Sequence, residues 1–406
     1  MRSETFRAPG LVLTEHELEV PLDHAAPEGE RITIFAREVA DPDGGGRPFL
    51  VFFQGGPGGE ALRPAGFPVG PAWLVRALRD FRVLLLDQRG TGRSTPVMPG
   101  WPAERLAHLR ADAIVGDAEL LREALGAGRW SVLGQSFGGF CVLRYLTVAP
   151  DALREALITG GLPPVGRAVD DVYRATWARM LERNRRYYAR YPGDRARVLA
   201  LLERLDSDDL RLPSGDRLTG RRLRQLGIML GMSDGAERVH HLLELAPDSP
   251  MFLHDLESAN IFARNPLYAV VHESSYADGG TTRWAAQRTM PEEFAERPEL
   301  LFGEHVFPWM LEDYGGLHGF RDAAEALAAR EWPRLYDAAR LREADVPVAA
   351  AIYAEDPYVE RAFSEETAAL LPGMRAWLTS EYDHDAIRAD GGRVLGRLID
   401  LARGRA

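Results

Sequence analysis

Trp130-Ser131-Val132-Leu133-Gly134-Gln135-Ser136-Phe137-Gly138-Gly139-Phe140 is the stretch that decides the fold. Trp130 to Leu133 is a short apolar run, long enough for a buried parallel strand. Gly134-Gln135-Ser136-Phe137-Gly138 fits Gly-x-Ser-x-Gly, and Phe140, Cys141, Leu143, Tyr145 and Leu146 then read as a helix. Strand, tight glycine turn and helix together lift a serine hydroxyl above a sheet, where it can act as a nucleophile. The glycines let strand and helix approach with no β-carbon between them. The helix start behind Ser136 favours developing negative charge.

Working outward, residues 49–53 are a continuous apolar run, which implies a strand covered on both faces. It ends in Gln54-Gly55-Gly56-Pro57-Gly58-Gly59. Residues 82–86 form a similar run, ending in Asp87-Gln88-Arg89-Gly90-Thr91-Gly92-Arg93-Ser94. Residues 17–22 and 31–39 alternate, as antiparallel strands with one wet face do. Residues 112–125 read as the helix before the serine strand, and 156–160 as a further inner strand. From 165 to 334 the spacing turns helical, at 172–188, 196–205, 218–230 and 236–245, with no buried-strand run. Strand character returns at 346–353 and 375–379, before a final helix at 392–402. The expectation is an α/β fold: a mostly parallel central sheet with helices on both faces, formed by 1–164 and 335–406. Residues 165–334 are expected to form an inserted helical cap domain.

The net charge is −11, which argues against nucleic acid or an anionic membrane as a partner. All 49 basic side chains are Arg, so lysine chemistry is absent. Cys141 is the single cysteine, so no intrachain disulfide forms; it reads as a small buried apolar residue. Met1 to Thr5 lack the apolar core of a signal peptide, and no run of about 18 apolar residues could span a membrane. A cytoplasmic location is therefore expected.

A serine nucleophile needs a base and a group that orients that base. In this architecture they follow in the order Ser, acid, His. Asp356 follows the 346–353 strand and His384 follows the 375–379 strand, which would bring both to the sheet edge that carries Ser136. Glu355, Asp383 and Asp385 are rival carboxylates. His384 would act as base and Asp356 as its orienter. The oxyanion would be met by the Phe137 N–H and by Gly55 or Gly56. His240 with His241, His254 with His272 and His305 with His318 do not match metal-site spacing, so no metal and no cofactor are expected.

The motifs at 54–58, 87–94 and 134–139 together resemble the proline iminopeptidase (prolyl aminopeptidase) family of α/β-hydrolases, in its longer-chain bacterial form. Gln54 stands where many members have His. The resemblance implies a serine exopeptidase that releases N-terminal proline from peptides through an acyl-enzyme on Ser136. The alternative is a general esterase or amidase acting on a small ester or amide. A substrate with a free imino terminus needs a carboxylate near the scissile bond. The resemblance gives that role to Glu273, in Tyr268-Ala269-Val270-Val271-His272-Glu273, with Glu304 as second candidate. Tyr276 and Trp309, with Phe137 and Phe307, would wall a proline-sized pocket. Oligomeric state is left open.

Overall fold

A computed structural model describes residues 1–67 and 69–406. Its strands are β1 (Arg2–Ala8), β2 (Leu11–Pro21), β3 (Arg31–Ala40), β4 (Phe49–Phe53), β5 (Arg82–Asp87), β6 (Trp130–Gln135), β7 (Leu153–Thr159), β8 (Val348–Tyr353) and β9 (Met374–Thr379). They form one sheet in the order β1-β2-β3-β5-β4-β6-β7-β8-β9. β1, β2, β3 and β5 pair antiparallel in turn. From β5 to β9 every neighbour is parallel.

The unbroken apolar runs have a simple cause, because every residue of β4 and β8 is buried. Alternate side chains enter different cores. Val51 and Phe53 join the core with Val132, Phe140 and Tyr145, under helix Phe137–Val148. Leu50 and Phe52 join the core with Leu133, Leu157 and Leu398, under helix Gly391–Ala402. The sheet is thus covered on both faces, as expected of an α/β fold.

Between β7 and β8 no sheet strand occurs among the described residues. That stretch holds helices Val169–Arg190, Asp194–Ser207, Gly235–Leu243 and Pro266–Ser275. The continuous helix expected at 218–230 is instead a short helix, Gly220–Arg224, followed by a 3₁₀ segment, Gln225–Gly231. Gly227 explains the tight winding: a β-carbon there would lie 2.1 Å from the Phe302 carbonyl oxygen. β1 has no counterpart in the hydropathy pattern, because six of its seven residues are exposed. No described helix is long and apolar enough to cross a membrane.

Candidate active site

Ser136 sits between β6 and helix Phe137–Val148 at φ 54°, ψ −125°. A side-chain-bearing residue at positive φ is strained, by about 1–3 kcal/mol. Its surroundings enforce the turn. A β-carbon at Gly138 would stand 1.9 Å from the Phe53 carbonyl oxygen, and one at Gly134 would stand 2.3 Å from that of Gly138. Only glycine lets the helix start press onto β4 and β6 this closely.

The loops after β8 and β9 bring two side chains to this turn. Ser136 Oγ lies 2.8 Å from His384 Nε2. His384 Nδ1 lies 2.7 Å from Asp356 Oδ2. A carboxylate only accepts, so Nδ1 carries the proton and Nε2 is left to accept from the serine. Asp356 Oδ1 accepts from the backbone N–H groups of Tyr358 (2.8 Å) and Val359 (3.1 Å). Those bonds single out Asp356 among its acidic neighbours. Burial alone would lower the His384 pKa, but the Asp356 carboxylate and its hydrogen bond, helped by Glu304 and Asp385, hold it above the ordinary 6.5.

The helical insertion fastens the base in place. The backbone N–H of His384 donates to the Gly231 carbonyl at 3.1 Å. Ser233 donates through its N–H (2.9 Å) and hydroxyl (2.6 Å) to Asp385 Oδ1. Tyr358 donates its hydroxyl to the Ile228 carbonyl, and its ring meets His384 edge-on at 4.7 Å.

The glycine loop after β4 supplies the other wall. The Gly55 N–H donates to its neighbour's Gln54 Oε1 at 3.2 Å. Gln88 Nε2 donates to the Gln54 carbonyl at 3.0 Å and so ties this loop to the one after β5. Among the described residues, neither Phe137 N–H nor Gly56 N–H has an acceptor.

A cavity of about 310 Å³ opens over Ser136 and His384, lined also by Gly55, Gly56, Tyr268, Glu304 and Tyr358. Glu304 is buried and held on both oxygens. Tyr268 donates its hydroxyl to Oε1, and His272 Nε2 lies 3.4 Å from Oε2. Burial would raise its pKa, but His272 and the Tyr268 hydrogen bond outweigh that and keep the carboxylate below its ordinary value. Its surroundings thus favour the charged form of Glu304, in the cavity that also holds Ser136. His272 in turn lies 3.1 Å, through Nδ1, from the Tyr173 hydroxyl.

Glu273 does not enter this cavity, which corrects the expectation. Its two oxygens accept from the backbone N–H groups of Ala285 (3.0 Å) and Ala286 (2.9 Å). Successive helical residues point about 100° apart. His272 therefore faces Glu304 while Glu273 points to a different side, toward Ala285 and Ala286. Burial, only partly offset by those two N–H groups, pushes its pKa up to about 7. Tyr276 and Trp309 also do not line the cavity. Tyr276 donates to the Tyr358 carbonyl at 2.9 Å and packs edge-on against Phe140, so it supports the wall from behind. Trp309 stacks on Phe307 at 5.4 Å, with Arg221 over its ring.

His240, His241 and Glu244 offer ligand atoms within 4.8 Å of one another, a grouping that the spacing did not suggest. His240 is already bonded to Asp194 at 2.9 Å and stacked on Tyr191. Cys141 is buried, and burial lifts its thiol pKa well above the usual value, so the thiol stays neutral. The sequence motifs assign no site role to Gln88, Tyr268, His272 or Tyr358. Tyr268 and His272 did carry a signal: they stand four apart and stack at 5.3 Å on one helical face.

A mostly parallel sheet with Ser136, His384 and Asp356 in hydrogen-bonded line at its edge defines an α/β-hydrolase. Residues 48–249 match the family model described as alpha/beta hydrolase fold. A proline iminopeptidase of Aeromonas sobria is 44% identical over 97% of each chain. Another, from Aspergillus aculeatus, is 32% identical over 98% of this chain and 95% of its own. The solved proline iminopeptidase of Mycobacterium smegmatis covers 96% of this chain and 98% of its own at a TM-score of 0.50 and 15% identity, a likeness of fold. The chain belongs to the proline iminopeptidase family.

Proposed function

We propose that this enzyme is a serine exopeptidase releasing N-terminal proline from peptides, with Ser136 as nucleophile, His384 as base and Asp356 as orienter. The observation that carries this reading is the placement of an anionic Glu304 in the same cavity as the Ser136–His384 pair. A peptide with a free N-terminal proline brings a cationic imino group next to the carbonyl that must be attacked. Glu304 would hold that cation, which assigns the ammonium site to it rather than to Glu273.

Ser136 Oγ attacks the prolyl carbonyl carbon as its proton passes to His384 Nε2. The carbonyl oxygen takes the negative charge, facing the Phe137 and Gly56 N–H groups. Gly56 is favoured over Gly55 because the Gly55 N–H is already engaged by Gln54. The C–N bond breaks as His384 returns the proton to the departing amine. Water then attacks the prolyl ester, His384 takes its proton, and proline leaves as that proton returns to Ser136. Residues 165–334 would act as a cap over a catalytic body of 1–164 and 335–406. The single cysteine suits a cytoplasmic setting.

Ser136→Ala tests the reading: turnover of proline p-nitroanilide should fall at least about a thousand-fold with the fold intact. Retained turnover would remove Ser136 as nucleophile. If the enzyme were a general esterase, Glu304→Gln would affect N-acetylated and free-imino substrates equally.

A further inference from the structure

We infer that Arg238 forms a second charged subsite of the same cavity and binds a carboxylate on the departing part of the peptide. The inference rests on the exopeptidase reading above and narrows its substrate class to short peptides with a nearby carboxylate. Arg238 lies on helix Gly235–Leu243 and is exposed. It is the one arginine lining the cavity over Ser136 among the described residues. It also lines an adjoining cavity of about 520 Å³, which shares Met229, Ser258 and Ala259 with the first. The two cavities adjoin along that shared wall, and Arg238 stands on it.

The carboxylates near Arg238 in sequence are committed elsewhere. Asp234 pairs with Arg388, Glu237 with Arg190, and Glu244 with His240 and His241. Asp255, in the wall of the adjoining cavity, forms no ion pair among the described residues. Arg238 itself has no carboxylate within ion-pair distance and no side-chain hydrogen bond among the described residues. Arg264, by contrast, pairs with Glu60. An uncompensated guanidinium on the wall of an active site is an anion site in waiting, and its planar fork matches a carboxylate.

The cavity thus carries an anion, Glu304, and a cation, Arg238. A short peptide is the complementary zwitterion, with a cationic terminus before the scissile bond and a carboxylate one or two residues after it. Because Arg238 is exposed, its contribution is modest and weakens with salt. It biases the choice among peptides and is not needed for bond breaking.

The test compares kcat/KM for Pro-Gly-Gly with its C-terminal amide, and for Pro-Glu amide with Pro-Gln amide. The first pair reads a main-chain carboxylate and the second a side-chain one. Each is measured in wild type, Arg238→Gln and Arg238→Lys at low and high salt. The wild type should favour the acid in at least one pair by about five-fold. Arg238→Gln should bring that ratio to about one, Arg238→Lys should restore most of it, and high salt should shrink it in the wild type. Unchanged ratios in Arg238→Gln, or an equal loss on acids, amides and proline p-nitroanilide, would overturn the inference. Proline p-nitroanilide separates the two readings: wild-type turnover with unmoved ratios sinks only Arg238, whereas no wild-type turnover sinks the exopeptidase reading beneath it.

Discussion

At the scale of single residues, the fate of two glutamates decides the reading. Glu273 and Glu304 both lie in apolar, aromatic surroundings, and the sequence offers no way to tell which faces the serine. That depends on helix rotation and on a contact across 36 residues, Tyr268 to Glu304. Ser136, Asp356 and His384 were legible because each follows a strand, and parallel strands deliver their C-terminal ends to one edge. The pH behaviour separates the two glutamates. The acid limb of kcat/KM should lie above 6.5, since His384 must be neutral to accept the serine proton and its pKa is raised. Glu304→Gln removes one of the charges that raise it, so this limb should move to lower pH while KM for free-imino substrates rises. A limb that stays in place would separate Glu304 from the base. Glu273 should show itself in stability instead. Its pKa is raised on folding from 4.5 to about 7, so its contribution is fully present below pH 4.5 and is lost as pH rises through about 7. Denaturant unfolding should reveal a loss across that window in the wild type that Glu273→Gln lacks, and KM for proline p-nitroanilide should not change.

Among elements, the loop after β5 explains why its motif is so distinctive. Asp87 accepts from the backbone N–H groups of Ala61 (2.9 Å) and Arg93 (2.8 Å). Gln88 holds the glycine loop. Arg89 is fully buried, with Nε donating to Asp117 at 2.7 Å and Nη1 donating to the Leu22 and His108 carbonyls. The motif is thus a clamp that positions the glycine loop. The sequence displayed its letters but not its partners, since Asp117 lies 28 residues on in an ordinary amphipathic helix. Asp117→Asn should cost about 3–5 kcal/mol in denaturant unfolding, because it leaves a buried guanidinium without its counter-charge. A loss under about 1 kcal/mol would show that the clamp carries little. The edge strand β1 and the 3₁₀ segment escaped a reading by periodicity for opposite reasons. One has no buried face, and the other is set by a close approach at Gly227 rather than by an apolar repeat.

For the whole molecule, the sheet raises Ser136 while the insertion between β7 and β8 both lines the cavity and holds the base. Gly231 is the joint: a β-carbon there would stand 2.3 Å from Cζ of Tyr358, whose ring abuts His384. Gly231→Ala should therefore lower kcat about ten-fold or more with little change in far-UV circular dichroism, since small misplacements of a base are costly. Unaltered kcat would mean that the contact is incidental. Because Gly231 and Ser233 grip the loop that bears His384, and Ile228 holds Tyr358 against its ring, this segment is not an interchangeable module. A foreign segment recombined into its place would have to rebuild those bonds to keep the imidazole moored.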